Sequence, residues 1–269
     1  MSNNGRVVLV TGASAGFGQA ISGKLAAAGY VVYGTSRRRQ SEGGPFTFVE
    51  MDADSEESVA AAVAEVVRRE GRLDAIVGNA GWGIAGAIED TSTEEAIAQF
   101  QTNFFGNHRL CRAALPHLRQ QEIAHVVMIG SVAGLIGVPF EGMYCASKFA
   151  LEGYCQTLRF ELRGSPVRVA ILEPGDFNTG FTAARVVAAG SGAGSLHEDR
   201  FRRALAQFEE LEQTGGDPDI LASVVLETLA NPSPPLRRIV VGPKQEEMLG
   251  LRDMSDEDIE TIVAETLLD

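Results

Sequence analysis

The sequence predicts an α/β protein: a doubly wound parallel sheet of about seven strands with helices on both faces, in a single domain spanning residues 1–269. Three observations carry that expectation. Short β-branched runs alternate with longer Ala-rich stretches of helical periodicity, the rhythm of repeated βαβ units. A glycine-rich turn from Gly12 to Gly18 joins the first such run to the first helical stretch. The chain is 45% hydrophobic and 22% charged, a composition that fills one large core rather than a disordered tail or a membrane bundle.

The elements follow in order. A strand over residues 6–10 precedes a helix over 17–28, which Gly29 stops. Strands over 30–35 and 46–50 lead to a helix over 55–69 that opens with acidic residues, and then to a strand over 73–78. Ser92 and Glu95 form a capping box that opens a long helix reaching towards Gln120. A strand over 125–130, a helix over 142–162 and strands over 167–172 and 238–241 complete the sheet. The rhythm breaks over 176–216, where the small-residue run 188–195 cannot pack a core; this segment reads as a mobile substrate-binding lid with a helix near 198–212. The tail, 243–269, carries Ile259, Ile262, Val263 and Leu267 on one side and reads as an amphipathic helix for packing or subunit contact rather than for a site.

Charge and composition exclude several functions. Lys and Arg total 23 against 36 Asp and Glu, a net charge of -13, so no nucleic-acid surface is expected. No apolar run approaches the ~20 residues of a membrane helix, and the N-terminal residues lack the apolar core of a secretory signal. The three cysteines, 111, 145 and 155, form no close pair and read as free thiols of a reducing cytoplasm, where the protein is expected. No metal site is expected either: His108, His117, His125 and His197 show no ligand spacing.

The turn Thr11-Gly12-Ala13-Ser14-Ala15-Gly16-Phe17-Gly18 lies between a strand and a helix, where free N–H groups and the helix dipole bind a pyrophosphate. Gly12, Ser14, Gly16, Phe17 and Gly18 are therefore read as cofactor-binding in a Rossmann-type fold; a merely tight connection is the competing reading. The second strand ends at Ser36, Arg37, Arg38 and Arg39, with no acid to accept from the adenosine ribose. Arginine there suits a 2′-phosphate, so the cofactor expected is NADP(H), held by Arg37 first, then Arg38, with a solvated surface loop as the alternative. Asp52 and Ala53, after the third strand, are placed at the adenine edge.

Ser131 follows the fifth strand, and Tyr144 and Lys148 lie at i and i+4 on one helical face. A tyrosine near pKa 10 needs a neighbouring cation to act as general acid or base at neutral pH, and Lys148 supplies it. With Thr11-Gly12-x-x-x-Gly16-x-Gly18, Asn79-Ala80-Gly81, Asn103, Ser131, Tyr144-x-x-x-Lys148 and Pro174-Gly175 in this order and spacing, the chain resembles the short-chain dehydrogenase/reductase family over nearly its full length. Residues 130–181 are most similar to the branch of 17β-hydroxysteroid and retinol dehydrogenases.

The resemblance implies a catalytic tetrad of Asn103, Ser131, Tyr144 and Lys148. It implies cofactor contacts from Asn79, Ala80, Gly81, Tyr144, Lys148, Pro174, Gly175 and Thr179, with Lys148 holding the nicotinamide ribose and keeping the tyrosine pKa low. Asn103 would fix a water that returns the proton; otherwise it is a mid-helix asparagine bonding its own backbone. Two departures stand out: Gly78 replaces the first Asn of an Asn-Asn-Ala-Gly pattern, and no basic residue precedes Gly16.

The implied activity is NADP(H)-dependent interconversion of a small hydrophobic ketone and its secondary alcohol, with Tyr144 as general acid/base. A non-catalytic NADP(H)-sensing regulatory or binding protein is the alternative. Epimerisation or dehydration through a transient ketone generally needs a second domain, for which the chain has little room. Phe177, Phe181, Val186, Val187, Leu196 and Phe201 are expected to wall an uncharged substrate, with Arg185 the one basic exception, Asp176 as scaffolding, and Trp82 and Phe140 lining either cleft or core. The long helices, with Phe100, Phe104, Phe105 and Leu110, are expected to pair subunits in a homodimer or homotetramer.

Overall fold

In the computed structural model, which describes residues 5–38, 43–243 and 245–268, the β-branched runs become strands in the expected order. Residues 1–4 and Arg39, read above, lie outside the described residues. The chain runs β1 (Val7–Val10), α1 (Gly16–Ala27), β2 (Val31–Ser36), β3 (Thr47–Glu50), α2 (Glu56–Glu70), β4 (Ala75–Gly78) and a short β5 (Ile84–Ala85). It continues through α3 (Thr93–Phe100), a π-helical turn (Gln101–Gly106), α4 (Asn107–Leu118), β6 (Ala124–Ile129), α5 (Gly142–Glu161) and β7 (Val167–Pro174). Then come α6 (Phe181–Ala184), β8 (Val186–Val187), α7 (Glu198–Gln213), α8 (Pro218–Ala230), β9 (Arg237–Val240) and α9 (Asp256–Leu267).

Seven strands pair in parallel in the order β3-β2-β1-β4-β6-β7-β9. Because both faces are covered, the central strands are buried along their whole length, and successive residues enter different cores. Leu9 packs with Val59, Val63, Leu110 and Leu151 from α2, α4 and α5. Val8 and Val10 pack with Ile21, Leu25, Leu221 and Val225 from α1 and α8. Strand order reverses between β1 and β4, which opens a crevice at their carboxyl ends where ligands of such sheets bind.

Three features depart from the sequence expectation. The long helix begins with its capping box but is interrupted by the π turn, which buries Asn103 and Gly106. Such a turn frees backbone carbonyls, and the one at Asn103 accepts from Asn107 Nδ2 at 2.8 Å. Helix α8 was not expected, although Asp217 caps it by accepting from Asp219 N and Pro218 occupies its first turn, both recognisable start signals. Finally, residues 186–190 are packed rather than loose. Val186 and Val187 pair with Ile84 and Ala85, Ala188 is buried, and a Cβ on Gly190 would lie 2.4 Å from the Asp90 carbonyl oxygen. Gly190 permits close backbone packing, whereas a Cβ on Gly192 or Gly194 would meet open space.

Candidate active site

The glycine turn has the shape of an anion cradle. Gly12 and Gly16 have φ of +65° and +53°, and a Cβ on Gly18 would lie 2.2 Å from the Gly12 carbonyl oxygen, so side chains are excluded where strand and helix meet. No side chain caps the first turn of α1 and no acid occupies it, which leaves its N–H groups directed at the crevice. Thr11 Oγ1 accepts from the N–H groups of Asn79 and Ala80 at 2.9 Å each, and Asn79 Nδ2 donates to the Thr11 carbonyl at 2.8 Å. The Asn79-Ala80-Gly81 segment is thereby stitched to the turn. A pyrophosphate fits this cradle.

Gly12, Ser14, Gly16, Phe17, Ser36, Arg37, Arg38, Asp52, Ala53, Asn79, Ala80 and Gly81 line one cleft of about 1600 Å³ with Ser131, Tyr144, Lys148, Pro174, Gly175 and Thr179. Gly18 and Asn103 do not line it. Gly18 serves the helix–strand approach. Asn103 is buried, its Oδ1 accepting from Trp82 N at 3.1 Å and its Nδ2 donating to Trp82 O at 2.9 Å and Ser147 Oγ at 3.2 Å. It is therefore neither a free mid-helix side chain nor a cleft ligand. Gly78 explains the first sequence departure: a Cβ there would meet Asn107 Oδ1 at 2.2 Å, so its absence makes room for the side chain that satisfies the π turn. At the adenosine end, Arg37 is exposed at the lip, and Asp52 Oδ1 accepts from Asp54 N at 3.0 Å.

At the other end of the cleft, Ser131 Oγ accepts from Ala133 N at 3.1 Å, and the serine hydroxyl is near enough to the Tyr144 phenol to lower its pKa against the effect of burial. Lys148 Nζ donates to the Ile129 carbonyl at 2.9 Å and lies 5.6 Å from the centroid of the Tyr144 ring. Burial pushes the Tyr144 phenol well up, helped by the Glu141 charge, and pushes the Lys148 ammonium down to about 8. In this pocket desolvation is the largest influence on the phenol, which is protonated at neutral pH.

The walls also differ in part from expectation. Phe177, Phe181, Val186 and Trp82 line the cleft, whereas Val187 and Leu196 are exposed and Phe201 packs on Phe140, 5.6 Å between ring centroids, away from it. The missing apolar wall comes from Val138, from Phe208 and Leu211 of α7, and from Ile259, Ile262, Val263 and Leu267 of α9. Their periodicity was visible in the sequence, but not what the helix faces. Glu141, Arg185, Glu212 and Gln245 also enter the cleft, and Asp176 joins them rather than acting only as scaffolding. His125 is structural and buried, and no group of metal-ligating side chains occurs among the described residues. Among those residues, no helix is long and apolar enough to cross a membrane.

A parallel sheet with this crevice, a glycine cradle at its switch point and a Ser–Tyr–Lys cluster opposite defines a nucleotide-dependent dehydrogenase. Residues 6–189 match the short chain dehydrogenase family, and the chain belongs to it. It is similar to a 3-ketodihydrosphingosine reductase of Bacteroides thetaiotaomicron, with 38% identity over 238 residues covering 88% of each chain. It is also similar to human 17-beta-hydroxysteroid dehydrogenase type 1, with 32% identity over 253 residues covering 86% of this chain and 76% of that one. A Burkholderia phymatum short chain dehydrogenase/reductase solved in complex with NAD has a TM-score of 0.82 at 25% identity, covering 97% of this chain and 96% of the other.

Proposed function

We propose that the protein is an NADP(H)-dependent reductase of ketones borne on apolar chains, returning the secondary alcohol, with Tyr144 as the general acid. The observation that carries this reading is the Ser131–Tyr144 hydroxyl pair, set where the nucleotide crevice meets an apolar cleft. Two hydroxyl donors converging on one point stabilise the alkoxide that develops on a carbonyl oxygen. Bound there, the nicotinamide supplies hydride to the carbonyl carbon. Tyr144 gives its proton to the oxygen, and its neutral phenol is the form that can do so. Lys148, anchored on Ile129, holds positive charge beside the ring as the phenolate forms. Asn103 acts through Trp82 and Ser147, keeping the walls of the cleft in register rather than touching reactants.

The Burkholderia phymatum relative holds NAD, so the fold alone does not choose the cofactor; Arg37 at the end of β2, where an acid would favour NAD, supports NADP(H). The similarity to a 3-ketodihydrosphingosine reductase supports a long-chain ketone as substrate. A panel of ketones and alcohols with each cofactor, followed by nicotinamide absorbance, tests the reading: NADPH oxidation with long-chain ketones supports it, and its absence across the panel refutes it.

A second copy of the chain is expected to cover the apolar residues left exposed on α3, the π turn and α5: Ile97, Phe105, Phe149 and Phe160, the last 68% exposed. Leu110 lies in the core rather than on that surface. Light scattering giving twice the 28.6 kDa of one chain, or a higher multiple, would support this assembly, and the single-chain mass would refute it.

A further inference from the structure

Helix α5 continues the row that Tyr144 and Lys148 begin. Glu152 follows Lys148 by one more turn, so the three residues stand at i, i+4 and i+8 on one face of the helix. Glu152 is buried, and its Oε2 accepts from Arg237 Nε of β9 at 2.6 Å. A second carboxyl shares this site. Along β7, Val167, Val169 and Ile171 face one core, and Glu173 takes the next position of that apolar series, fully buried. Neither oxygen of Glu173 has a hydrogen-bond partner, nor has Glu152 Oε1. Arg252 Nη1, from the 3₁₀ turn Glu246–Asp253, stops 3.7 Å from Glu173 Oε1.

A buried carboxylate without donors is costly, and a fold that needed only an anchor for β9 would be served by Glu152 and Arg237 with an apolar residue at 173. One proton resolves the conflict. Burial, with the Glu152 charge adding to it, raises Glu173 to about 8, so at neutral pH Glu173 is the acid and Glu152, held by Arg237, the carboxylate. That carboxylate also acts on Lys148, opposing the burial that draws the ammonium down to about 8. The remaining groups that face the pair are Arg252 and Cys155 of α5, whose thiol is kept neutral by burial. Tyr144 faces Lys148 from one turn back, and Glu141 and Glu212 act on Tyr144.

Resting on the ketone-reductase reading above, we propose that Glu152 is a positioning residue of the reduction, acting through Lys148 to keep an ammonium beside Tyr144, while Glu173 carries the proton that lets two carboxyls share the buried site. Neither glutamate lines the cleft, so neither touches cofactor or substrate.

The chain has three lysines, Lys24, Lys148 and Lys244, so NMR of the full-length protein with isotope-labelled lysine can follow Lys148 by itself, its signal assigned by its loss in Lys148→Met. Lys148 should titrate near pH 8 in the wild type. Glu152→Gln should lower that midpoint by roughly one pH unit, the effect of removing one nearby opposite charge, and should move the alkaline fall of kcat for ketone reduction down with it. Glu173→Gln, whose amide still donates to Glu152, should leave both close to wild type. Should Glu152→Gln fail to fold, the double variant Glu152→Met with Glu173→Leu removes both carboxyls together and should lower the midpoint likewise. An unchanged midpoint, an equal shift in Glu173→Gln, or a shifted midpoint with an unchanged kcat profile overturns the positioning role and leaves the reductase reading intact. A wild type that binds NADPH but reduces no ketone overturns that reading and the positioning role with it.

Discussion

Lys148 Nζ lies 5.6 Å from the centroid of the Tyr144 ring, one helical turn away on α5, and is fixed there by its hydrogen bond to the Ile129 carbonyl on β6. The pair is thus locked to the sheet rather than carried on a free helix surface. Lys148 is buried and Tyr144 half-buried, and desolvation acts on them in opposite senses, favouring the neutral phenol and weakening the ammonium. A proton donor and a nearby charge reserve result, which is the arrangement a carbonyl reduction needs.

His125 makes acid stability a sensitive probe of the fold. Its Nε2 lies 2.9 Å from the Asn231 carbonyl and its Nδ1 3.1 Å from Arg6 Nη2, so the ring is held neutral, and burial pushes its pKa down from 6.5 to about 4. Between those values the unfolded chain binds a proton that the folded chain does not. Stability is therefore fully present above pH 6.5 and declines as pH falls towards 4, by about 2 kcal/mol at pH 5. Urea unfolding at pH 7 and pH 5 should show this loss, and His125→Asn should remove that part of it. An identical pH dependence in the two proteins would contradict the assignment.

Arg37 should set cofactor choice. A charge-assisted donor to the 2′-phosphate contributes ~1.5–3 kcal/mol, so NADPH should bind roughly 10-fold to 100-fold more tightly than NADH. Arg37→Asp should reverse the preference. Fluorescence titration with both cofactors checks it, and equal affinities in the unmodified protein would refute it.

Helix α9 should contribute to substrate affinity and not to cofactor affinity, because Ile259, Ile262, Val263 and Leu267 line the cleft. Deleting residues 255–269 should leave the Kd for NADPH unchanged. It should raise KM for a long-chain ketone roughly 30-fold, the equivalent of about 2 kcal/mol of lost methylene burial. Short ketones should show little change. Equal effects on long and short ketones would show that α9 is packing alone.

Much of this was legible in the sequence because it depends on local pattern. The β-branched runs become seven parallel strands, and the glycine spacing marks the cradle where Gly18 meets Gly12. What the sequence could not reveal depends on contacts between distant segments. Asn107 filling the space left by Gly78, and Glu141, Arg185 and Glu212 meeting from three separate elements, have no local signature. The start of the small-residue run, at Ala188 and Gly190, packs for a related reason: side-chain size indicates flexibility only until a second backbone, here at Asp90, lies close enough to pack.

The central claim is that Tyr144 delivers the proton in a ketone reduction, and Tyr144→Phe tests it most directly, since it removes the hydroxyl and keeps the ring against Phe181. NADPH oxidation should be followed with the best ketone of the panel, alongside NADPH affinity. The account predicts nearly unchanged NADPH affinity with kcat lower by ~100-fold or more. Wild-type turnover in the Tyr144→Phe protein would contradict it.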